Sequence, residues 1–128
     1  MPDISQSAAC IAIVDDDASV RSAVARLLRS YDFICATYDC AESALADPQL
    51  AAAQCAIIDV QLSGMNGFAF RDCLVRQGIR IPYLFITAHP ETGSPEWVQA
   101  VGDVPCIRKP FDGSQLLAAI QLVSAGRH

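Results

Sequence analysis

The sequence predicts an α/β fold of three layers, (βα)5, in which a five-stranded parallel sheet carries helices on both faces. Two observations lead to this prediction. Short apolar runs rich in β-branched residues alternate with stretches of helical period, and this alternation repeats five times. Most of the runs are continuously apolar, as strands covered on both faces are. The length of 128 residues fits one domain, so we expect a single domain over 1–128 with its core at about 9–125 and frayed ends.

The predicted strands are short and bounded by turn-forming or polar residues. They cover residues 10–14, 33–38, 55–58, 83–87 and 104–108.

The first two predicted helices follow the first two strands. An apolar stripe at helical spacing marks the first, and it consists of Val20, Val24, Leu27, Leu28 and Tyr31. Three arginines, Arg21, Arg26 and Arg29, are left for its polar side. The second begins near Cys40, where Asp39 and Glu42 have capping-box spacing, and fades at Asp47.

The other three helices differ in the strength of their signals. The third follows Asn66 and Gly67 and stops at Gly78. The fourth is shortened to 96–101 because proline and glycine crowd its start. The last has a capping pair, Asp112 and Gln115, followed by an apolar face.

Composition excludes several classes of protein. Hydrophobic residues make up 52% and charged residues 18%, which argues against intrinsic disorder. No apolar run approaches the roughly 18 residues of a membrane span, and residues 1–7 lack the basic start of a secretory signal. A net charge of −5 argues against direct nucleic-acid binding.

Six cysteines raise the question of disulfides. They lack metal-ligand spacing, and four of them, Cys10, Cys35, Cys55 and Cys106, lie in or beside predicted strands. We therefore expect buried free thiols in a reducing compartment and a cytoplasmic protein. Three disulfides are the less favoured alternative.

Polar residues follow four of the strands at their carboxyl ends, where ligands of open α/β sheets bind. They are Asp15, Asp16 and Asp17 after the first strand, Asp59 after the third, Thr87 ending the fourth and Lys109 after the fifth. Carboxylates brought together repel one another unless a cation lies among them, and Mg²⁺ suits an oxygen site.

Each of these residues also has an ordinary interpretation. Asp17 is explained by helix capping alone, Asp59 by a loop position, Lys109 by surface exposure and Thr87 by β propensity. Their occurrence together, at the right ends of the right strands, favours a site.

The chain resembles the receiver domains of two-component response regulators, specifically those of the nitrogen-fixation regulator FixJ type, and is identified as a stand-alone member. The matching motifs span 10–125 and are Val14-Asp15-Asp16-Asp17, Asp59-Val60-Gln61-Leu62 with Gly64-Met65-Asn66-Gly67, Thr87-Ala88-His89 and Arg108-Lys109-Pro110-Phe111. The resemblance implies a flavodoxin-like, CheY-like fold.

The resemblance also implies the chemistry. Asp59 would accept a phosphoryl group, and Mg²⁺ would be held by Asp16, Asp59 and the backbone carbonyl of Gln61, and by Asp15 mainly through water. Lys109 would pair with a phosphoryl oxygen and Thr87 would move inward to bind another. The side chains of Gln61 and His89 would set the lifetime of the phosphorylated state, with a solvated loop histidine as the alternative for His89.

The implied partners are a sensor histidine kinase or histidine phosphotransfer protein and a downstream protein, with no nucleic acid and no membrane. The resemblance leaves homodimer formation open. The chain would catalyse only its own phosphorylation and dephosphorylation, so it is not expected to be an enzyme.

Three departures from the family pattern concern the conformational change that follows phosphorylation. Ser63 replaces a proline after Leu62, Cys106 replaces an aromatic residue of the fifth strand, and the fourth helix, which carries Trp97, is short. We therefore expect signal output through the fifth strand to be weak or different. Trp97 is either an exposed contact or packed on the sheet.

Three other classes of function share features with this sequence. A phosphorylation-independent interaction module is the main alternative. A phosphatase like the haloacid dehalogenases is disfavoured. Those enzymes begin with a nucleophile in a D-x-D motif and place the acidic pair last, whereas here the acidic pair precedes Asp59, which is not in a D-x-D motif. A flavodoxin is disfavoured because the acidic run would repel a flavin phosphate.

Overall fold

A computed structural model describes residues 10–62, 64–88 and 95–125. The five strands are β1 (Cys10–Val14), β2 (Ile34–Tyr38), β3 (Cys55–Asp59), β4 (Tyr83–Thr87) and β5 (Cys106–Arg108). The five helices are α1 (Ala18–Arg29), α2 (Ala41–Ala46), α3 (Gly67–Arg76), α4 (Pro95–Val101) and α5 (Gly113–Ala125), with a 3₁₀ turn at Pro48–Ala52.

The sheet is parallel throughout and has the order β2-β1-β3-β4-β5. Its central strands are buried on both faces, which explains their continuous apolar sequences. One face packs against apolar residues of α1 and α5, and the other against those of α2 and α3. The predicted fold class is therefore confirmed.

Two strands are shorter than predicted. β2 begins at Ile34, and β5 begins at Cys106 rather than at 104. At β5, the amide of Val104 instead donates to the carbonyl of Val101 at the end of α4, and Pro105 has no amide hydrogen to donate.

The helix ends confirm some of the predicted caps and correct one. Asp112 and Gln115 form the predicted reciprocal cap of α5. The predicted capping box of Asp39 and Glu42 is wrong. The thiol of Cys40 accepts a hydrogen bond from the Ser43 amide instead and caps α2.

The end of α1 corrects a second prediction. Tyr31 does not continue the apolar stripe of α1, because the helix ends at Arg29 and Asp32 takes a left-handed conformation with φ of 70°. Its side chain is accordingly 44% exposed.

All six cysteines are free thiols, as predicted. Only Cys55 is fully buried, so the expectation of burial is wrong for the other three strand cysteines, which are half-buried. Each of these begins a strand or lies on an edge strand, where packing is incomplete. Burial raises the pKa of the Cys55 thiol to about 12.

No helix among the described residues is both long enough and apolar enough to cross a membrane.

A hydrogen bond between Tyr38 and Asp47 links the end of β2 to the 3₁₀ turn. The Tyr38 hydroxyl donates to Asp47 Oδ2 at 2.7 Å, which lowers the pKa of Asp47 from its usual value, with a further contribution from the Gln49 amide. Because a lowered carboxyl pKa stabilises the fold above the pKa of the unfolded chain, this contribution is lost as the pH falls through the folded-state value.

Tyr38→Phe is therefore expected to lower the Tm at pH 7 by about 2–4 °C. The difference from the unaltered protein should shrink as the pH falls and Asp47 becomes protonated in the folded state. Thermal unfolding followed by circular dichroism over a series of pH values from 7 downward checks this. A difference of constant size across the series would contradict a charge-assisted bond.

Candidate functional site

Four strand ends meet at one edge of the sheet and bring together the polar residues that the sequence singled out. Asp15 follows β1, Asp59 and Thr87 are the last residues of β3 and β4, and Lys109 follows β5. The side chains of Asp15, Asp59 and Thr87 are buried although they are polar. Such burial requires partners, because an unpaired polar group in the interior is costly.

Three carboxylates form the acidic part of the site. Asp15, Asp16 and Asp59 each offer an oxygen, and these oxygens all lie within 4.8 Å of one another. Asp16 is exposed and the other two are buried. Oxygen donors of this number and charge fit a hard divalent cation such as Mg²⁺.

Lys109 is the cation that the structure places among these carboxylates. Its Nζ lies 3.0 Å from Asp15 Oδ2 and 3.1 Å from Asp59 Oδ2. Burial alone would lower the pKa of Lys109, but the hydrogen bonds to the two carboxylates raise it above its ordinary value. The ammonium therefore stays charged and bridges β1, β3 and β5.

Asp15 is held in an unfavourable environment for its charge. Burial raises the pKa of Asp15 above its usual value, and the neighbouring charge of Asp59 adds to the effect. Hydrogen bonds from the Asp17 amide and from Lys109 oppose this rise. An additional cation in the site would favour the ionised form of Asp15.

The two buried carboxylates are oriented in the same way. Asp15 Oδ1 accepts from the Asp17 amide and Asp59 Oδ1 accepts from the Gln61 amide, each at 2.9 Å. Each bond closes an Asx-turn, in which an aspartate side chain accepts from the backbone amide two residues later. One oxygen of each carboxylate is thus fixed by the backbone, and the other faces Lys109.

Asp17 has the ordinary role that the sequence allowed. Its Oδ1 accepts from the Ser19 amide at 2.9 Å and from the Val20 amide at 3.4 Å, so it caps α1.

Thr87 and Gln61 are joined directly. The Thr87 hydroxyl donates to Gln61 Oε1 at 2.8 Å. The family resemblance implied separate roles for these two residues, and nothing in their spacing indicates that they bond each other.

Two residues of the site were not assigned from the sequence. Arg21 was placed on the polar side of α1, but its Nη1 donates to the Asp15 carbonyl at 2.7 Å. Gly67 lets α3 approach the end of β3, because a Cβ at this position would lie 2.5 Å from the Asp59 carbonyl oxygen. The available sequence signal for Gly67 was its position directly after Asn66, at the start of the third predicted helix.

Three residues singled out in the sequence cannot be placed. Ser63 and His89 lie outside the described residues, as does the side chain of Trp97. Cys106 is described, and it pairs with Phe85 of β4.

Residues 11–121 match the sequence model of a family described as "Response regulator receiver domain". Two similar proteins are nodulation protein W of Bradyrhizobium diazoefficiens and response regulator protein TodT of Pseudomonas putida. Nodulation protein W is 32% identical, and the match covers 88% of this chain and 49% of that protein. TodT is 34% identical, and the match covers 92% of this chain and 52% of that protein. The chain thus spans about half the length of these relatives.

Solved structures are similar over most of their length. A response regulator receiver protein from Burkholderia phymatum is 36% identical, with a TM-score of 0.74 over 91% of this chain and 94% of that one. The chemotaxis protein CheY4 of Vibrio cholerae is 30% identical, with a TM-score of 0.79 over 91% of this chain and 98% of that one.

Proposed function

The chain belongs to the response regulator receiver domain family of two-component signalling, and from this premise we propose that Asp59 is its phosphoryl acceptor and that Mg²⁺ is its cofactor. The observation that carries the proposal is the position of Asp59, which is buried at the end of β3 with one oxygen 3.1 Å from Lys109 Nζ. A receiver is a signalling domain, and its own phosphorylation and dephosphorylation are the only reactions we assign to it.

Asp15, Asp16 and Asp59 would hold the metal, together with the backbone carbonyl of Gln61. The donor set fits, since it contains three carboxylates and one ammonium and therefore has an excess of negative charge. When bound, Mg²⁺ would neutralise charge on the phosphoryl group and on the carboxylates.

The phosphoryl transfer needs an anionic nucleophile held in place. An oxygen of Asp59 attacks the phosphorus of a phosphohistidine, the new P–O bond forms and the P–N bond breaks, with the imidazole nitrogen taking a proton from solvent. The Gln61 amide orients the carboxylate by binding Oδ1. Lys109 then offers its ammonium to a phosphoryl oxygen as a point charge. Attack of water on phosphorus later breaks the P–O bond and restores the carboxylate.

Thr87 connects the site to the rest of the molecule. To reach a phosphoryl oxygen, its hydroxyl exchanges the bond to Gln61 for a bond to the phosphoryl group. The Gln61 side chain is released in the same step. We propose that this exchange starts the conformational signal, and that Gln61 then affects the approach of water.

The phosphodonor partner would be a histidine kinase or histidine phosphotransfer protein, and the signal would pass to a downstream protein. The net charge of −5 supports an output through protein contacts rather than through nucleic acid bound by these residues. We also propose a cytoplasmic location, which the free thiols support.

Intact-mass spectrometry after incubation with acetyl phosphate tests this proposal. With Mg²⁺ the protein is expected to gain one phosphoryl group, and with a chelator it should gain none. Asp59→Asn should remain unmodified under both conditions, since an amide lacks the anionic oxygen.

A folded protein that gains no mass with Mg²⁺ would contradict the proposal. The phosphorylation-independent interaction module would then be the better account, and Cys106 in place of an aromatic residue is the feature that favours it.

A further inference from the structure

The guanidinium of Arg71 lies between α3, β4 and α4. Its central carbon is 5.7 Å from the ring centre of Phe68 and 5.8 Å from that of Phe85. Its Nη1 donates to the carbonyl oxygen of Ala100, in the last turn of α4. The side chain is only 18% exposed. One arginine therefore contacts an aromatic pair on one side and the end of a helix on the other.

The rings beneath Arg71 form a packed group on β4 and α3. Phe68 meets Phe85 edge-on at 5.0 Å, and Tyr83 meets Phe85 at 5.7 Å. Phe85 is completely buried. It lies two residues before Thr87 on the same strand, and residues so spaced share a face of the sheet.

Cys106 adds a feature particular to this chain. It pairs with Phe85 across the β4–β5 ladder, so the two side chains point to the same face. Position 106 contributes only a thiol, and the aromatic volume on this face comes from β4 and α3 instead. A rotating ring on β5 is therefore not available as a link between Thr87 and the surface.

We propose that Arg71 is the positioning residue for α4, and that the Phe85–Phe68–Arg71 stack links the state of Asp59 to this helix. The proposal rests on the proposed function. When Thr87 turns toward a phosphoryl group, the end of β4 shifts and Phe85 shifts with it. The stack under the guanidinium is disturbed, the hydrogen bond to Ala100 weakens, and the last turn of α4 loosens.

The end of α4 depends on such a partner. α4 has only seven residues, and helices of this length are unstable without tertiary contacts. The carbonyls of a last helical turn lack partners within the helix, and a cation there is favourable. The last turn of α4 has no basic residue of its own, so Arg71, whose Nε also pairs with Asp72 Oδ1 at 3.1 Å, supplies a cationic donor from α3.

Hydrogen–deuterium exchange of the α4 amides tests the proposal, with and without beryllium fluoride and Mg²⁺ as a phosphoryl mimic. In the unaltered protein, exchange in α4 is expected to rise by about tenfold on activation. In Arg71→Gln it should already be fast without the mimic and change little on its addition. Arg76→Gln is the matched control, because Arg76 lies on the same helix with its guanidinium on Cys73. It should behave like the unaltered protein.

Arg71→Lys keeps the positive charge but not the planar, stacking donor group. It provides a second test in case Arg71→Gln does not fold. It should show fast exchange in α4 and normal exchange in β1, β3 and β4. Normal α4 protection in a folded Arg71→Lys, or an unchanged response to the mimic in either variant, would overturn the proposal.

The same proteins, without beryllium fluoride, are incubated with acetyl phosphate and Mg²⁺ and analysed by intact-mass spectrometry, which separates two kinds of failure. An unlabelled but folded protein would refute Asp59 as acceptor. Normal labelling of the Arg71 variants with unaltered α4 exchange would refute only the role of Arg71.

Discussion

Lys109→Met is expected to lower the free energy of unfolding by about 2–4 kcal/mol at pH 7. The substitution keeps an unbranched side chain of similar length but removes the ammonium that lies 3.0 Å from Asp15 and 3.1 Å from Asp59. Two buried carboxylates would then face each other without the ammonium that now lies between them. Urea unfolding in the presence of a chelator measures the loss.

The pH dependence of this loss has a definite sign. Burial already raises the pKa of Asp15 in the folded protein, and a raised carboxyl pKa means that stability is lost as the pH rises above the pKa of the unfolded chain. Without Lys109 the pKa of Asp15 is expected to rise further. The free energy of unfolding of the variant should therefore be much closer to that of the unaltered protein at pH 4 than at pH 7.

Addition of Mg²⁺ should restore part of the lost stability at pH 7, because the metal replaces the missing positive charge. Arg108→Met, at the neighbouring exposed position, is the control and should change stability by less than about 0.5 kcal/mol. Equal losses at pH 4 and pH 7, or no response of the variant to Mg²⁺, would contradict the assigned electrostatics.

Gly67→Ala is expected to destabilise the protein by about 3 kcal/mol and to slow its phosphorylation. The added Cβ would lie 2.5 Å from the Asp59 carbonyl oxygen and 2.9 Å from the Cα of Val60. Both are backbone atoms of the strand end that carries the acceptor, so neither can move without displacing Asp59. The start of α3 must shift instead, and the bond from the Gly67 amide to the Val60 carbonyl would be strained.

Gly113→Ala is the matched control at the start of another helix. There the close neighbour is Leu27 Cδ1 at 2.9 Å, the end of a flexible side chain that can move aside. Urea unfolding and the rate of labelling by acetyl phosphate should separate the two variants. A Gly67→Ala protein as stable as Gly113→Ala would show that the approach of α3 to β3 is looser than the structure indicates.

Most of the fold followed from hydrophobic pattern because this sheet is buried on both faces. Continuous apolar runs such as 10–14 and 83–87 match their strands at both ends. Prediction failed where a local bond competes with the pattern. Tyr31 fits the helical spacing of α1, but the chain has already turned away at Asp32. At α2 the thiol of Cys40 caps the helix, which a preference for carboxylates as caps does not anticipate.

The site could be assembled from sequence because parallel strands deliver their ends to one edge. Asp15, Asp59, Thr87 and Lys109 were placed together on that ground alone. The bond between Thr87 and Gln61 could not be predicted, since it depends on the path of the turn after β3. Arg71 was missed for a related reason, because its contacts join α3 to residues in β4 and α4 that are distant in sequence.

We expect Asp59, and no other aspartate of the acidic cluster, to receive the phosphoryl group. After labelling with acetyl phosphate and Mg²⁺, borohydride reduction converts an aspartyl phosphate to homoserine and leaves free carboxylates unchanged. Peptide mass spectrometry then locates the converted residue. Homoserine is expected at position 59 alone. Conversion of Asp15 or Asp16 with Asp59 unchanged would contradict the assignment of Asp59 as the acceptor.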